Sequence, residues 1–103
     1  MAGVVYEVSI EVDAQIEREY RDWLGAHVEA MLALPGFVDA QVFTVAEPVA
    51  TAGRIGLCVH YRLRDAQALA AYLREHAPRM RAEGGAHFGG RFNAARRVLL
   101  PQA

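Results

Sequence analysis

Lysine is absent from this chain of 103 residues, cysteine occurs once, and no run of apolar residues approaches the length of a membrane span. Each absence excludes something. A lone Cys58 cannot close an intrachain disulfide. A bilayer core needs about 20 consecutive apolar residues, so an integral membrane protein is not expected. The stretch Met1 to Tyr6 lacks the charged start and long apolar run of a secretory leader, and a reducing cytoplasm is the simplest home. All 11 basic residues are arginine, which we read as coding bias. The net charge of -1 and pI near 6.4 argue against nucleic acid, where a pI above about 9 and a one-sided basic stripe are expected. Arg91, Arg96 and Arg97 make only a local basic patch. The four histidines and Cys58 show no HxxxH, HExxH or CxxC spacing, so no metal site is expected. Nor is there a phosphate-binding glycine loop, a dinucleotide fingerprint or a serine-nucleophile context, and no bound cofactor is expected.

What is present is a phrase used twice. Trp23-Leu24-x-x-His27-x-x-x-Met31 returns 49 positions later as Tyr72-Leu73-x-x-His76-x-x-x-Met80. The same offset sets Tyr6, Val8, Ile10 and Val12 against Ile55, Leu57, Val59 and Tyr61. Such a repeat speaks first to architecture. The length fits one domain over residues 1–103.

Val4 to Val12 alternates, with Tyr6, Val8 and Ile10 on one face and Val5, Glu7 and Ser9 on the other, the mark of a strand with one buried side. Asp13 is placed to cap a helix whose apolar stripe runs Ile16, Tyr20, Trp23, Leu24, His27, Val28, Met31 at the 3.6 period. Pro35 and Gly36 end it near Leu34. A second strand is expected over Phe37 to Ala46, a third over Arg54 to Leu63, with a loop through Glu47, Pro48 and Gly53 between. Asp65 caps a second helix with the stripe Leu69, Tyr72, Leu73, His76. Pro78 breaks it and suits the first turn of a short helical segment reaching Glu83. Gly84-Gly85 and Gly89-Gly90 read as caps and turns before a last strand, Arg91 to Leu100.

The order strand, helix, strand, strand, helix, strand is the α+β ferredoxin-like split βαβ plan (βαββαβ): a four-stranded antiparallel sheet with both helices on one face. The other face, with Val5, Cys58 and either Phe37 or Phe43 among polar residues, has no cover in this chain. An apolar content of 53% is slightly above the usual range, and both facts point to two sheets paired face to face in a homodimer.

Through Val5-Tyr6-Glu7-Val8, Trp23, Leu34-Pro35-Gly36-Phe37, Tyr61-Arg62-Leu63, His76-Ala77-Pro78-Arg79-Met80-Arg81 and Arg96-Arg97-Val98-Leu99, the chain resembles the dimeric α/β-barrel superfamily. Within that antibiotic-biosynthesis-monooxygenase-like group it is similar to an uncharacterised bacterial family of roughly hundred-residue domains of unknown function. The superfamily holds cofactor-independent quinol-forming monooxygenases, haem-degrading monooxygenases, isomerases and members without known chemistry, so the fold licenses no one reaction. The resemblance implies a ligand pocket between helices and sheet within each protomer.

His27 and His76 should face that cleft, each either a general base or a core residue bonded to a carbonyl. His76, beside a proline break and arginines, is the first candidate. Tyr6, Trp23, Tyr61 and Tyr72, with Tyr20, line an aromatic pocket or simply form core. Met31 and Met80 are flexible packing or pocket lining. Arg79 and Arg81, near Arg91, form either a clamp for an acidic ligand or a solvated turn. On the opposite face, Glu7, Cys58, His60 and Arg62 are expected at the dimer interface, with Glu7 paired to His60 or Arg62 there. The functional expectation is binding, or cofactor-independent monooxygenase- or isomerase-like transformation, of a small planar acidic or phenolic molecule. The alternative is a non-catalytic dimeric module with a filled cleft.

Overall fold

Ten residues of alternating burial, Val4–Asp13, make strand β1, and this strand is the centre of the molecule. The structure is a computed structural model that describes residues 3–102; Met1 and Ala2, part of the segment read for a leader, lie outside the described residues. A single 3-10 turn, Ala14–Ile16, leads into α1, Glu17–Leu32. Strands β2, Phe37–Thr44, and β3, Arg54–Leu63, follow. Then come α2, Ala66–Glu75, α3, Ala77–Phe88, a 3-10 turn over Gly89–Arg91, and β4, Phe92–Leu99. The sheet runs β2-β3-β1-β4, antiparallel throughout. This is the ferredoxin-like α+β plan expected from the sequence, with three helices rather than two.

Alternation decides which side chains meet the helices. Tyr6 lies opposite Tyr61 and Val98, and Val8 opposite Val59 and Arg96, so all of these share the helix-covered face. Tyr6, Ile10, Leu57, Val59 and Tyr61 are buried there against Tyr20, Leu24, Met31, Leu69, Tyr72 and Met80. Each such side chain contributes roughly 1.5–3 kcal/mol by leaving water, which is why a single stripe per helix is enough to hold the layer.

Several local expectations change. Asp13 makes no cap bond; its carboxylate is taken by Arg54 at 3.3 Å and Arg91 at 3.2 Å. Asp65 does cap α2, accepting from the Ala68 amide at 2.8 Å. Leu73, expected in the α2 stripe, is 39% exposed. Phe37 belongs to the helix-covered face, edge-on to Tyr72 at 5.2 Å, whereas Phe43 pairs with Cys58 on the open one. The Gly84-Gly85 pair does not end a helix but lies inside α3. A Cβ on Gly84 would stand 3.2 Å from Trp23 and 3.4 Å from Phe92, so the absent side chain is what lets α3 approach α1 and β4. Gly36 is needed twice over, for its φ of 85° and because a Cβ would collide with that of Ala68.

Candidate functional site

Between the helices and the sheet lies a cavity lined by aromatic and aliphatic side chains from β1, α1, β3, α2, α3 and β4. Tyr6, Trp23, His27, Tyr61, Tyr72, Met80 and Arg81, all singled out in the sequence, line it. Its volume is about 50 Å3, about a third of the roughly 150 Å3 of an apolar cavity that holds a benzene ring, so a ring enters only where lining side chains give way.

The wall is built from interlocked rings. Tyr6 is edge-on to Tyr72 at 5.7 Å and tilted against Tyr61 at 6.3 Å. Tyr20 packs on Phe92 and Phe88 at 5.5 and 5.1 Å. His27 lies one helical turn from Trp23 and stacks flat on its indole, 4.6 Å between centroids and 17° between planes. Burial pushes Tyr20 and Tyr72 up to about 12 and Tyr61 higher still, so these phenols stay protonated.

His27 is the unusual member of the wall. Its Nδ1 is buried and has no hydrogen-bond partner among the described residues. The nearest carboxylate oxygen, Oε2 of Glu83 on α3, is 3.9 Å away, beyond hydrogen-bond reach. Burial lowers the His27 pKa below its ordinary value, with the Arg96 charge acting the same way and Glu83 opposing both. The imidazole is therefore neutral near pH 7 and keeps an unused ring nitrogen.

Two arginines reach the same space. Arg81 donates from Nη2 to the Tyr6 hydroxyl at 2.9 Å, tying α3 to β1 across the cleft. Arg96, on the helix-covered side of β4, also lines the cavity. No carboxylate side chain lines the cavity among the described residues.

His76 is not among the lining residues. It forms the joint between α2 and α3: its amide donates to the Tyr72 carbonyl and its carbonyl accepts from the Met80 amide. Its Nδ1 faces the Arg79 guanidinium, 3.0 Å from Nη2. Arg91, expected beside Arg79 and Arg81, is instead bound to Asp13 and Gln15 at the far end of β1. Seven residues separate Asp13 from Tyr6, which is about 23 Å along a strand. Arg96 and Phe92, which line the cavity, and Glu83, which faces His27 from outside the lining, were not anticipated. Two adjacent arginines, Arg96 and Arg97, conceal which of them faces inward, and only the pairing of Arg96 with Val8 decides it.

On the open face, Glu7 is only 6% exposed. Arg97 donates to its Oε1 at 2.6 Å and His60 Nε2 lies 2.9 Å from its Oε2. The Arg97 guanidinium, then His60, hold the carboxyl below its ordinary pKa against the opposing effect of burial. Burial and the neighbouring Glu7 push the Cys58 thiol up, so it stays protonated. Arg62 pairs with Asp39 at the surface rather than with Glu7.

The four-stranded antiparallel sheet with helices on one face defines a ferredoxin-like α+β protein, the fold also found in antibiotic-biosynthesis-monooxygenase-like proteins. The chain belongs to the family described as a domain of unknown function (DUF4286), whose profile matches residues 3–102. No curated protein matches the sequence. Among solved structures it is similar to SnoaB, a cofactor-independent oxygenase from Streptomyces nogalater, at 13% identity and a TM-score of 0.66 over 100% of this chain and 96% of that one. It is also similar to the heme-degrader MhuD from Mycobacterium tuberculosis, at 22% identity and a TM-score of 0.63 over 97% and 99%. A conserved protein from Methanosarcina mazei Go1 gives 14% identity and a TM-score of 0.70 over 99% and 95%. At such identities the shared property is the fold. Among the described residues no helix is long and apolar enough to cross a membrane.

Proposed function

We propose that each protomer binds one small planar aromatic molecule in the helix-to-sheet cavity and that His27 takes a proton from its hydroxyl, without a bound cofactor. The observation that carries this is the neutral His27 ring with an unused, buried nitrogen in a wall of aromatic side chains. Proton transfer from a phenol to the imidazole leaves an electron-rich phenolate and an imidazolium, the first step of a monooxygenase- or isomerase-like reaction. Protonated Tyr61 and Tyr72 supply hydroxyl donors that favour the anion formed. A cavity of about 50 Å3 favours a single ring over a porphyrin once its wall gives way, while the likenesses to a cofactor-independent oxygenase and to a heme-degrader speak to the fold alone.

The homodimer and a cytoplasmic setting belong to the same proposal. A second copy covers the open face, where Phe43 is 38% exposed beside the Glu7, Cys58, His60 and Arg62 group. The small cavity volume favours one competing reading, a non-catalytic dimeric module whose cleft is filled by its own side chains.

Thermal shift against a panel of phenols, quinols, aromatic acids and haem separates the two. Stabilisation by single-ring phenols or quinols, lost in His27→Phe, is expected; no stabilisation by any compound would leave the filled-cleft module standing. Light scattering that gives one chain per particle would remove the dimer.

A further inference from the structure

On the open face of the sheet, three side chains of metal-ligand type converge. Glu7 on β1 stands directly opposite His60 on β3, and Cys58 lies two residues before His60, so the pleat sends all three to one side. One ligand atom from each, a carboxylate oxygen, a thiol sulfur and a ring nitrogen, lies within 4.8 Å of the other two. Among the described residues no other group of histidine, cysteine and acidic side chains converges in this way. Glu7 and His60 are 53 positions apart and meet only through strand register. This is why the histidine and cysteine spacings of the sequence speak against a metal site while the fold assembles a set of ligands.

The three are also held in place. Glu7 is 6% exposed, and its two oxygens have separate partners: Arg97 donates to Oε1 at 2.6 Å, while Oε2 lies 2.9 Å from His60 Nε2. Arg97 thus orients the carboxylate through one oxygen and leaves the other turned toward His60, as an outer hydrogen bond does for a metal ligand. The His60 ring stands edge-on to Phe43, 5.1 Å between centroids. Cys58 and His60 are half-buried, so solvent reaches the cluster.

A tetrahedral zinc ion lies about 2.0–2.3 Å from oxygen, nitrogen and sulfur ligands, which sets those ligands about 3.3–3.8 Å apart. Oε2 and Nε2 at 2.9 Å are slightly closer than this and no pair exceeds 4.8 Å, so small side-chain rotations on a fixed ladder reach the geometry. We infer that Glu7, Cys58 and His60 bind a zinc ion, with water as the fourth ligand. Thiolate and imidazole select such a cation over Mg2+ or Ca2+. The ion displaces the thiol proton to solvent, and His60 ligates through Nε2 as the neutral ring with its proton on Nδ1. The carboxylate and the thiolate balance the two charges of the ion. All three ligands come from one protomer, and they lie across the sheet from His27, so the site does not rest on the reading of the cavity.

The test is equilibrium dialysis of the purified, chelator-treated full chain against Zn2+, with the absorption spectrum of the Co2+-substituted protein beside it. One tightly held Zn2+ per chain is expected, undisplaced by excess Mg2+. Cys58 is the only cysteine, so a thiolate-to-Co2+ charge-transfer band assigns the ion to this cluster. His60→Ala and Glu7→Gln should each weaken Zn2+ binding by about a hundredfold or more, since loss of an outer partner alone costs about 10–100-fold. His60→Gln, which keeps a donor for Glu7, takes the place of His60→Ala if that variant does not fold. Cys58→Ser should abolish the band, and His87→Ala, on the exposed side of α3, should change nothing. Absence of Zn2+ binding would overturn the inference. So would Zn2+ affinity unchanged in Cys58→Ser, or bound Co2+ without the thiolate band, because the ion would then sit on other surface histidines.

Discussion

In the first half of the duplicated phrase, Trp23, Leu24, His27 and Met31 ride on one unbroken 16-residue helix. In the second, Tyr72 and Met80 sit on two helices that meet at His76, whose φ of -126° and ψ of -31° interrupt the helical path. Met31 and Met80 end in equivalent places, both buried and both in the cavity wall. Trp23 and Tyr72 also both line the cavity, Trp23 half-buried and Tyr72 buried. Leu24 and Leu73 do not, and neither do His27 and His76. Pro78 in the first turn of α3 sets this difference, since it has no amide to continue α2. The continuous helix delivers its histidine to the cavity; the broken one spends its histidine on the joint. A repeated spacing thus guarantees a shared stripe, but the chemistry of each stripe depends on whether the helix stays whole.

The strongest way to break this comparison is to truncate the paired leucines. Leu24→Ala should cost about 2–5 kcal/mol, the range for a buried leucine, because Leu24 is 4% exposed. Leu73→Ala should cost under about 1 kcal/mol, as a partly exposed site that leaves no enclosed void. Chemical denaturation of both variants reads the difference, and equal losses would mean that the two halves pack alike.

The histidines come next. His27→Ala should lower the affinity for a bound phenol by about tenfold, a little over 1 kcal/mol, the size of one lost hydrogen bond. His76→Ala should leave that affinity within error and affect only the α2–α3 joint. Titration calorimetry on the two variants decides; the reverse order would return His76 to the site.

The glycines of α3 give a smaller effect with opposite signs. Gly85 has open space where a Cβ would stand, so Gly85→Ala should stabilise by about 0.5–1 kcal/mol, the helix preference for alanine. Gly84→Ala must push Trp23 and Phe92 outward and should offset that gain or reverse it. Thermal melts of the pair report both.

Least in size is a pH effect. The folded state lowers the His27 pKa, so the unfolded chain binds more protons as pH falls through the ordinary histidine value of 6.5. Stability is fully present above that value and declines below it. His27→Gln should flatten the slope of melting temperature between pH 7 and 5.5. Glu7, whose pKa is also lowered, loses its contribution only as pH falls below the ordinary 4.5, a separate window.

Much of the fold was legible because it is written in alternation. Arg54–Leu63 is bounded in the structure as the sequence reads, since its period of two is unbroken and glycine and aspartate flank it. The Asp65 cap was legible for the same reason, a carboxylate just ahead of a helical stripe. Asp13 has the same local setting, but two arginines distant in sequence claim its carboxylate. The length of α3 was illegible: Gly84 and Gly85 disfavour helix locally, and the closeness of Trp23 and Phe92 accounts for Gly84 alone. Of the cavity, the aromatic stripes were readable from spacing. Arg96 and the nearby Glu83 were not, because they arrive through strand register and helix approach rather than through any motif.

The coupling of Glu7 to Arg97 and His60 has a consequence for whatever lies on the open face of the sheet. A carboxylate in the middle of a β-sheet would ordinarily demand a cation from the covering surface, and so dictate its composition. Here the demand is met within the protomer, by neighbours on both adjoining strands. The centre of the face therefore balances its own charge, and any surface laid over it would meet an already paired carboxylate beside the Phe43 ring.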